Sequence, residues 1–263
     1  LVGSRELLWN LSLRELRTKY RRSFLGWTWS LLNPISTVLI YSFVFGRVFQ
    51  ADAPQSTNAQ IKSFALYMLV AVIPWGFFGL VSNLGMSALS GNASLVRKVA
   101  FPREALVFSQ SLFAVVQHSI EMALLCLVML IAGSPLFPHL PLVVVYMFVL
   151  AVFATGIGLL LSVVNVYFRD LQYLWTVLLQ MWFFATPIVY PADLLEGRIP
   201  EWLRTILEYN PMAIAVEGFR DLLYHGEWPS FARLGVFVLF AVGALVVGMW
   251  VFGRLSRRLA EEL

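Results

Sequence analysis

His118 and Glu121 stand three residues apart inside a long apolar run, with Gln117 beside them and Gln110 two turns earlier. In lipid such groups must face a protein interior or water, so a carboxylate there could relay a proton or hold a substrate. Side chains of this kind can also hold a helical bundle together by hydrogen bonds, and that is the expectation for this cluster. Other chemistry finds little footing. A phosphate-cradling loop needs a glycine followed by lysine, and no glycine in the chain has one. Gly156-Ile-Gly158 begins a dinucleotide-like pattern but lacks its third glycine, so close helix packing is expected there, as at Ala154/Gly158 and Ala244/Gly248. His118, His139, His225 and the lone Cys126 show no metal-ligand spacing, and one cysteine excludes an intramolecular disulfide. No catalytic residue and no metal site is expected.

The elements that carry these residues are dictated by composition. Of 263 residues, 59% are hydrophobic and only 13% charged, with mean hydropathy +0.77, against about 25% charged in soluble domains. The chain belongs in a bilayer. Its net charge of +4 comes from cations beside apolar runs, where anionic headgroups explain it better than nucleic acid. Six apolar segments, at 27–49, 64–90, 105–132, 141–164, 171–190 and 231–253, each approach or exceed the roughly 20 residues a spanning helix needs. An all-α, six-span membrane domain covering 1–263 follows. Pro34, Pro74 and Pro187 fall within these segments and are expected to bend them.

Ahead of the first span, residues 5–22 read as an amphipathic helix. Asn10, Arg14, Arg17 and Arg21 line one stripe and Trp9, Leu13, Leu16 and Tyr20 another, the pattern of a helix lying in the membrane interface. Thirteen of the nineteen Lys and Arg residues collect on the side of this helix, which places both termini in the cytoplasm by the positive-inside rule. No secretory signal peptide is expected, because the first apolar run is too long and lacks a small-residue cleavage site.

Two connections carry structure of their own. Between the second and third spans, Ser94 is placed to cap a short helix, Leu95, Val96 and Val99 give it an apolar side, and Arg97 and Lys98 give it charge. Pro102 ends it. A compact cytoplasmic knob carrying exposed aliphatics, suited to a partner's socket, is expected. On the other side, 191–228 should form two short non-spanning helices, about 200–209 and 211–225, separated by Asn210-Pro211. Seven acids against three bases make this cap repel polyanions.

Taken together, the stretches 19–34, 95–104, 165–170 and 186–191, followed by Tyr209-Asn-Pro211, resemble the membrane subunit of polysaccharide and teichoic acid exporters of the type-2 ABC transporter class. The resemblance covers nearly the whole chain. It implies a homodimer on two copies of a separate cytoplasmic ATPase, which binds ATP and Mg, so no cofactor is expected in this chain. It implies a bacterial inner-membrane location and a polyprenyl-pyrophosphate-linked glycan, such as an O-antigen or galactan, moved outward. The helix at 5–22 becomes an interface helix, 92–104 a coupling helix and 191–228 gate helices. Coupling residues would be Ser94, Leu95, Arg97, Lys98, Phe101, Pro102, Arg103 and Glu104. Arg17, Lys19, Arg21 and Arg22 would meet the lipid pyrophosphate or anionic lipid. Sugar rings slide over aromatic faces, so Tyr41, Phe45, Trp75, Phe78, Trp182 and Phe183 are candidates to line the path.

Two alternatives stay open at this point. A small-molecule or drug exporter of the same class usually carries a large insertion between its first two spans, and here that loop is only about 50–63. A membrane enzyme acting on lipid-linked sugars would need more than Arg169-Asp170 as its charged pair.

Overall fold

A chain in lipid must satisfy its backbone internally, and among the described residues this one does so with helices alone. The computed structural model describes residues 42–48, 63–98 and 101–256, with Leu32, Ile35, Ser36, Leu39, Ile40, Ser56 and Ile61 as single positions. After a π-helical segment at Ser42–Val48 come α1 (Phe64–Ser87), α2 (Ala93–Lys98), α3 (Glu104–Ile131), α4 (Leu140–Tyr167), α5 (Leu171–Ala185), α6 (Glu201–Glu208), α7 (Pro211–Arg220) and α8 (Phe231–Leu255). The expected interface helix at 5–22 lies outside the described residues, as does about half of the first apolar segment, Pro34 included.

Among the described residues, four segments are long and apolar enough to cross a bilayer: Phe64–Ser87, Glu104–Ile131, Phe137–Tyr167 and Phe231–Leu255. They match the expected boundaries to within a few residues. The fifth segment departs from expectation. Helix α5 stops at Ala185 after 15 residues, a length of about 22 Å against a hydrocarbon core of about 30 Å. Thr186 leaves the helix at φ −101°, ψ 134°, the extended conformation that a following proline favours. Pro187 therefore lies beyond the helix instead of bending it, whereas Pro74 stays inside α1.

Helix α4 is the centre of the bundle, packed against α1 and α8, with α3 against α1. Small residues permit the crossings. A Cβ built on Gly85 of α1 would lie 2.7 Å from Cα of Gly158 of α4, and one on Gly248 of α8 would collide with the carbonyl oxygen of Gly156. These contacts bear out the packing role expected of the glycines. One core, from Ile61 to Ala241, fills the middle and one end of the bundle, and a second gathers Leu89, Val96, Leu106, Val163 and Phe252 at the other. The second is the knob end, since α2 sits there; the opposite end carries the 191–228 cap.

Candidate functional site

Helix α2 is led in by a 3-10 turn at Ser90–Asn92, so Ser94 lies inside the helix and is not its cap. The apolar side of the knob does not face outward either. Val96 is buried in the second core, and Leu95 and Phe101 pack against the same cluster. Leu95 and Val96, expected to be exposed, are turned inward because α2 is too short to be stable alone and gains its stability from that burial; Val99 lies outside the described residues. Ser94, Arg97 and Lys98 are the exposed positions of α2 and give it a polar, cationic surface.

Behind the knob, Arg103 donates through Nη1 to the backbone carbonyl of Ser256. Tyr167 donates to the carbonyl of Leu255 across 3.1 Å, and Asn165 Nδ2 to that of Met86 across 3.2 Å. The ends of α1, α4 and α8 and the start of α3 are thereby laced together under α2. Pro102 and Glu104, half-buried, complete the stretch.

Four of the six aromatic residues expected along a pathway come together where α1 faces α5. Trp75 lies edge-on to Trp182 at 6.3 Å and to Phe183 at 5.6 Å, and Phe78 edge-on to Trp182 at 5.1 Å. Phe78 is fully buried, stacked on Phe153 at 5.5 Å, whereas Trp75, Trp182 and Phe183 keep partial exposure. Along its other face α5 is bare: Tyr173, Leu174, Val177, Met181 and Phe184 are exposed, and Trp175 is its one buried residue. Phe45 falls in the π-helical segment. Tyr41, Arg17, Lys19, Arg21 and Arg22 lie outside the described residues.

Within α3, Gln117 Nε2 donates to Glu121 Oε1 across 3.0 Å, both residues buried. His118 does not join them. Its ring stacks on Phe77 at 4.4 Å with neither nitrogen hydrogen-bonded, so it serves as an aromatic packing residue. Among the described residues, no cluster of three His, Cys, Asp or Glu could hold a metal.

At the cap, α6 and α7 fall where the Asn210-Pro211 break places them, with a π-helical turn at Asp221–His225 prolonging α7. Two residues organise this end: Asn210, expected only as part of a break, and Arg220, which sequence reasoning passed over. Asn210 accepts from the backbone N–H groups of Met212 and Ala213, capping α7, and from Trp182 Nε1 at 3.1 Å. Its own amide donates to the carbonyls of Leu207 and Ala185. Arg220 is fully buried; it donates to the carbonyls of Pro187 and Ile188, bonds Glu217 at 2.7 Å, and lies over the ring of Tyr67 at 3.7 Å. An Asn directly before a Pro-led helix is an N-cap signal that could have pointed to this role of Asn210. The sole hint for Arg220 was Glu217 three residues earlier. Beside it, burial pushes the Asp221 carboxyl up to about 7; Glu217 and Glu227 push the same way, and Arg233 and Arg220 oppose them.

A bundle of apolar spans, knobbed at one end and capped at the other by non-spanning helices, defines an integral membrane protein. The ABC-2 type transporter family model matches residues 6–224, and the chain belongs to that membrane family. It is 29% identical over its whole length, and 97% of the relative's, to the O-antigen export system permease protein RfbA of Myxococcus xanthus. With RfbA of Klebsiella pneumoniae it shares 26% identity over 98% of this chain and 95% of that one. Identity to the polysialic acid transport protein KpsM of Escherichia coli is 26%, over 92% of this chain and 90% of that one.

Proposed function

We propose that this chain is the channel-forming membrane subunit of an ATP-driven exporter that moves a lipid-linked polysaccharide out of the cytoplasm across the inner membrane. The observation that carries this reading is end-to-end similarity to permeases named for O-antigen and polysialic acid export. In this reading the chain is not itself an enzyme. ATP and Mg are bound by a separate ATPase, two copies of which serve a homodimer of six-span subunits with both termini in the cytoplasm.

The knob supports the assignment of 92–104 as coupling helix. Ser94, Arg97 and Lys98 meet the ATPase, while Leu95, Phe101, Pro102, Arg103 and Glu104 transmit its movement into α3 and α8. Such a knob must be stiff to pass on force, and burial of Val96 makes it so. Trp75, Trp182 and Phe183 form one wall of the path with Phe78 behind them; Tyr41 and Phe45 of the first span complete it across the dimer. The bare face of α5 is the surface on which a second copy closes the channel. Interface-helix residues Arg17, Lys19, Arg21 and Arg22 receive the pyrophosphate of a polyprenyl carrier at the cytoplasmic leaflet. The 191–228 cap then stands at the exit, where its acids repel polyanions.

Affinity purification from the native membrane, with mass spectrometry of proteins and lipids, tests the reading. A stoichiometric ATP-binding subunit together with a polyprenyl-linked glycan is the expected result. A chain that arrives without a nucleotide-binding companion in mild detergent contradicts it.

A further inference from the structure

The cap consists of two unlike parts. Helix α7 and the turn after it are nailed to the bundle: Met212–Val216, Gly218–Arg220 and Leu222–Tyr224 are all buried. Ser134, in the turn between α3 and α4, donates to the carbonyl of Leu223 across 2.7 Å, and Ser56 to that of Tyr224 across 2.9 Å. Gly226, left-handed at φ 71°, lets the chain pass against Pro135, and Trp228 lies 4.9 Å from the ring of His139.

Helix α6 is the opposite case. It buries no residue, and Trp202, Ile206 and Tyr209 are exposed. Its ion pairs, Arg204 with Glu196 at 2.8 Å and with Glu208 at 2.6 Å, close within 192–209 itself. The segment carries left-handed Gly197, at φ 69° with open space around it, and ends at Asn210.

Arg220 separates the two parts. Where α5 breaks, the carbonyls of Pro187 and Ile188 lose their helical donors while staying buried, which an apolar environment tolerates only if something else donates to them. A planar guanidinium fits two successive carbonyls as a fork; an ammonium does not. The same guanidinium lies on Tyr67 of α1, so one side chain joins α1, α7 and the end of α5.

We propose that Arg220 is the positioning residue of the exit: it holds α7 immobile against α1 and the end of α5, so that the outer end opens through 192–209 alone, turning at Gly197 and Asn210. This rests on the cap lying at the exit of an export pathway.

Spin labels at Pro138, Thr205 and Glu227, all exposed, test it in the complete complex with its ATPase and with Cys126→Ser as background. Between nucleotide-free and ATP-trapped states the Pro138–Thr205 distance should shift and the Pro138–Glu227 distance should not. Movement of Glu227 together with Thr205, or a still Thr205 in a complex that hydrolyses ATP, overturns the proposal. Arg220→Lys keeps the charge and loses the fork. Nucleotide-free proteoliposomes of this variant should leak small ions several-fold faster than wild type at similar ATP hydrolysis, whereas a merely structural role lowers thermal stability and leaves the leak alone. Wild-type leak from assembled Arg220→Lys is the second contradicting result. A wild-type complex that carries no glycan would sink the exporter reading by itself, since distances and leak are read without cargo.

Discussion

Arg103 donates through Nη1 to the backbone carbonyl of Ser256, so the residue that closes the knob is fastened to the last turn of α8. In the coupling-helix reading, force applied at Arg97 and Lys98 has two routes into the bundle, along α3 and across to α8. Removing the bond with Arg103→Ala should cost about 1.5–3 kcal/mol, the usual range for a hydrogen bond to a charged group. In the exporter reading, ATP hydrolysis by the complex persists while glycan export drops by an order of magnitude, and Phe101→Ala acts in the same direction. Parallel assays of hydrolysis and export on each variant check this; full export from both would remove the coupling role.

Glu121→Gln keeps an oxygen within reach of Gln117 and replaces the carboxyl by an amide of the same size. Export should stay at wild-type level with a modest change in thermal stability, the outcome for a packing cluster. His118→Phe preserves the stack on Phe77 and removes two unpartnered nitrogens, so its melting temperature should equal or exceed wild type. A collapse of export in either variant at normal expression would instead make the cluster functional.

The cap should be sensitive to pH through Asp221. Burial pushes its folded carboxyl up to about 7 from the ordinary 3.8, so between these values the folded protein binds more protons than the unfolded chain. Stability from this group is present below pH 3.8 and is lost as pH rises through about 7. Melting temperature of purified protein should thus fall between pH 6 and 8 more steeply in wild type than in Asp221→Asn, the variant being the more stable at pH 8. Identical profiles would contradict the burial of this carboxyl.

Gly85→Ala tests the crossing of α1 and α4. The new methyl would meet backbone at 2.7 Å and not a side chain that can swing aside. Overpacking of this kind costs about 1–3 kcal/mol. Size-exclusion and thermal melts should show a less stable chain, while Gly79→Ala, with open space around it, serves as the silent control.

Hydropathy alone placed α1, α3, α4 and α8 to within a few residues, because a spanning helix writes its length directly into the chain. The Asn210-Pro211 break likewise announced α6 and α7. Pro187 was different. Proline inside an apolar run reads the same whether the helix bends, as at Pro74, or ends; what decides is whether a distant donor takes the freed carbonyls, and here Arg220, more than thirty residues on, does so. The knob was legible as a helix but not in its orientation, since Leu95 and Val96 could equally face a partner or the second core. Phe78 and Trp75 differ in exposure because of Phe153 on α4, a neighbour no spacing rule reveals.

The basic cluster at the start of the chain gives the last mutational prediction. Replacing Lys19, Arg21 and Arg22 together with Gln should leave the complex assembled and its ATPase active while abolishing export of a pyrophosphate-linked substrate. Undiminished export would assign these charges to membrane attachment alone.

Reconstituted transport decides whether this chain exports a glycan. The permease and its co-purifying ATPase, in proteoliposomes loaded with lipid-linked glycan, are given ATP on the cytoplasmic face, and the glycan crossing to the other side is followed by its protection from an added glycosidase. The exporter account predicts protection that needs ATP and disappears when the permease is omitted. Hydrolysis of ATP with every glycan chain still accessible to the enzyme would contradict it.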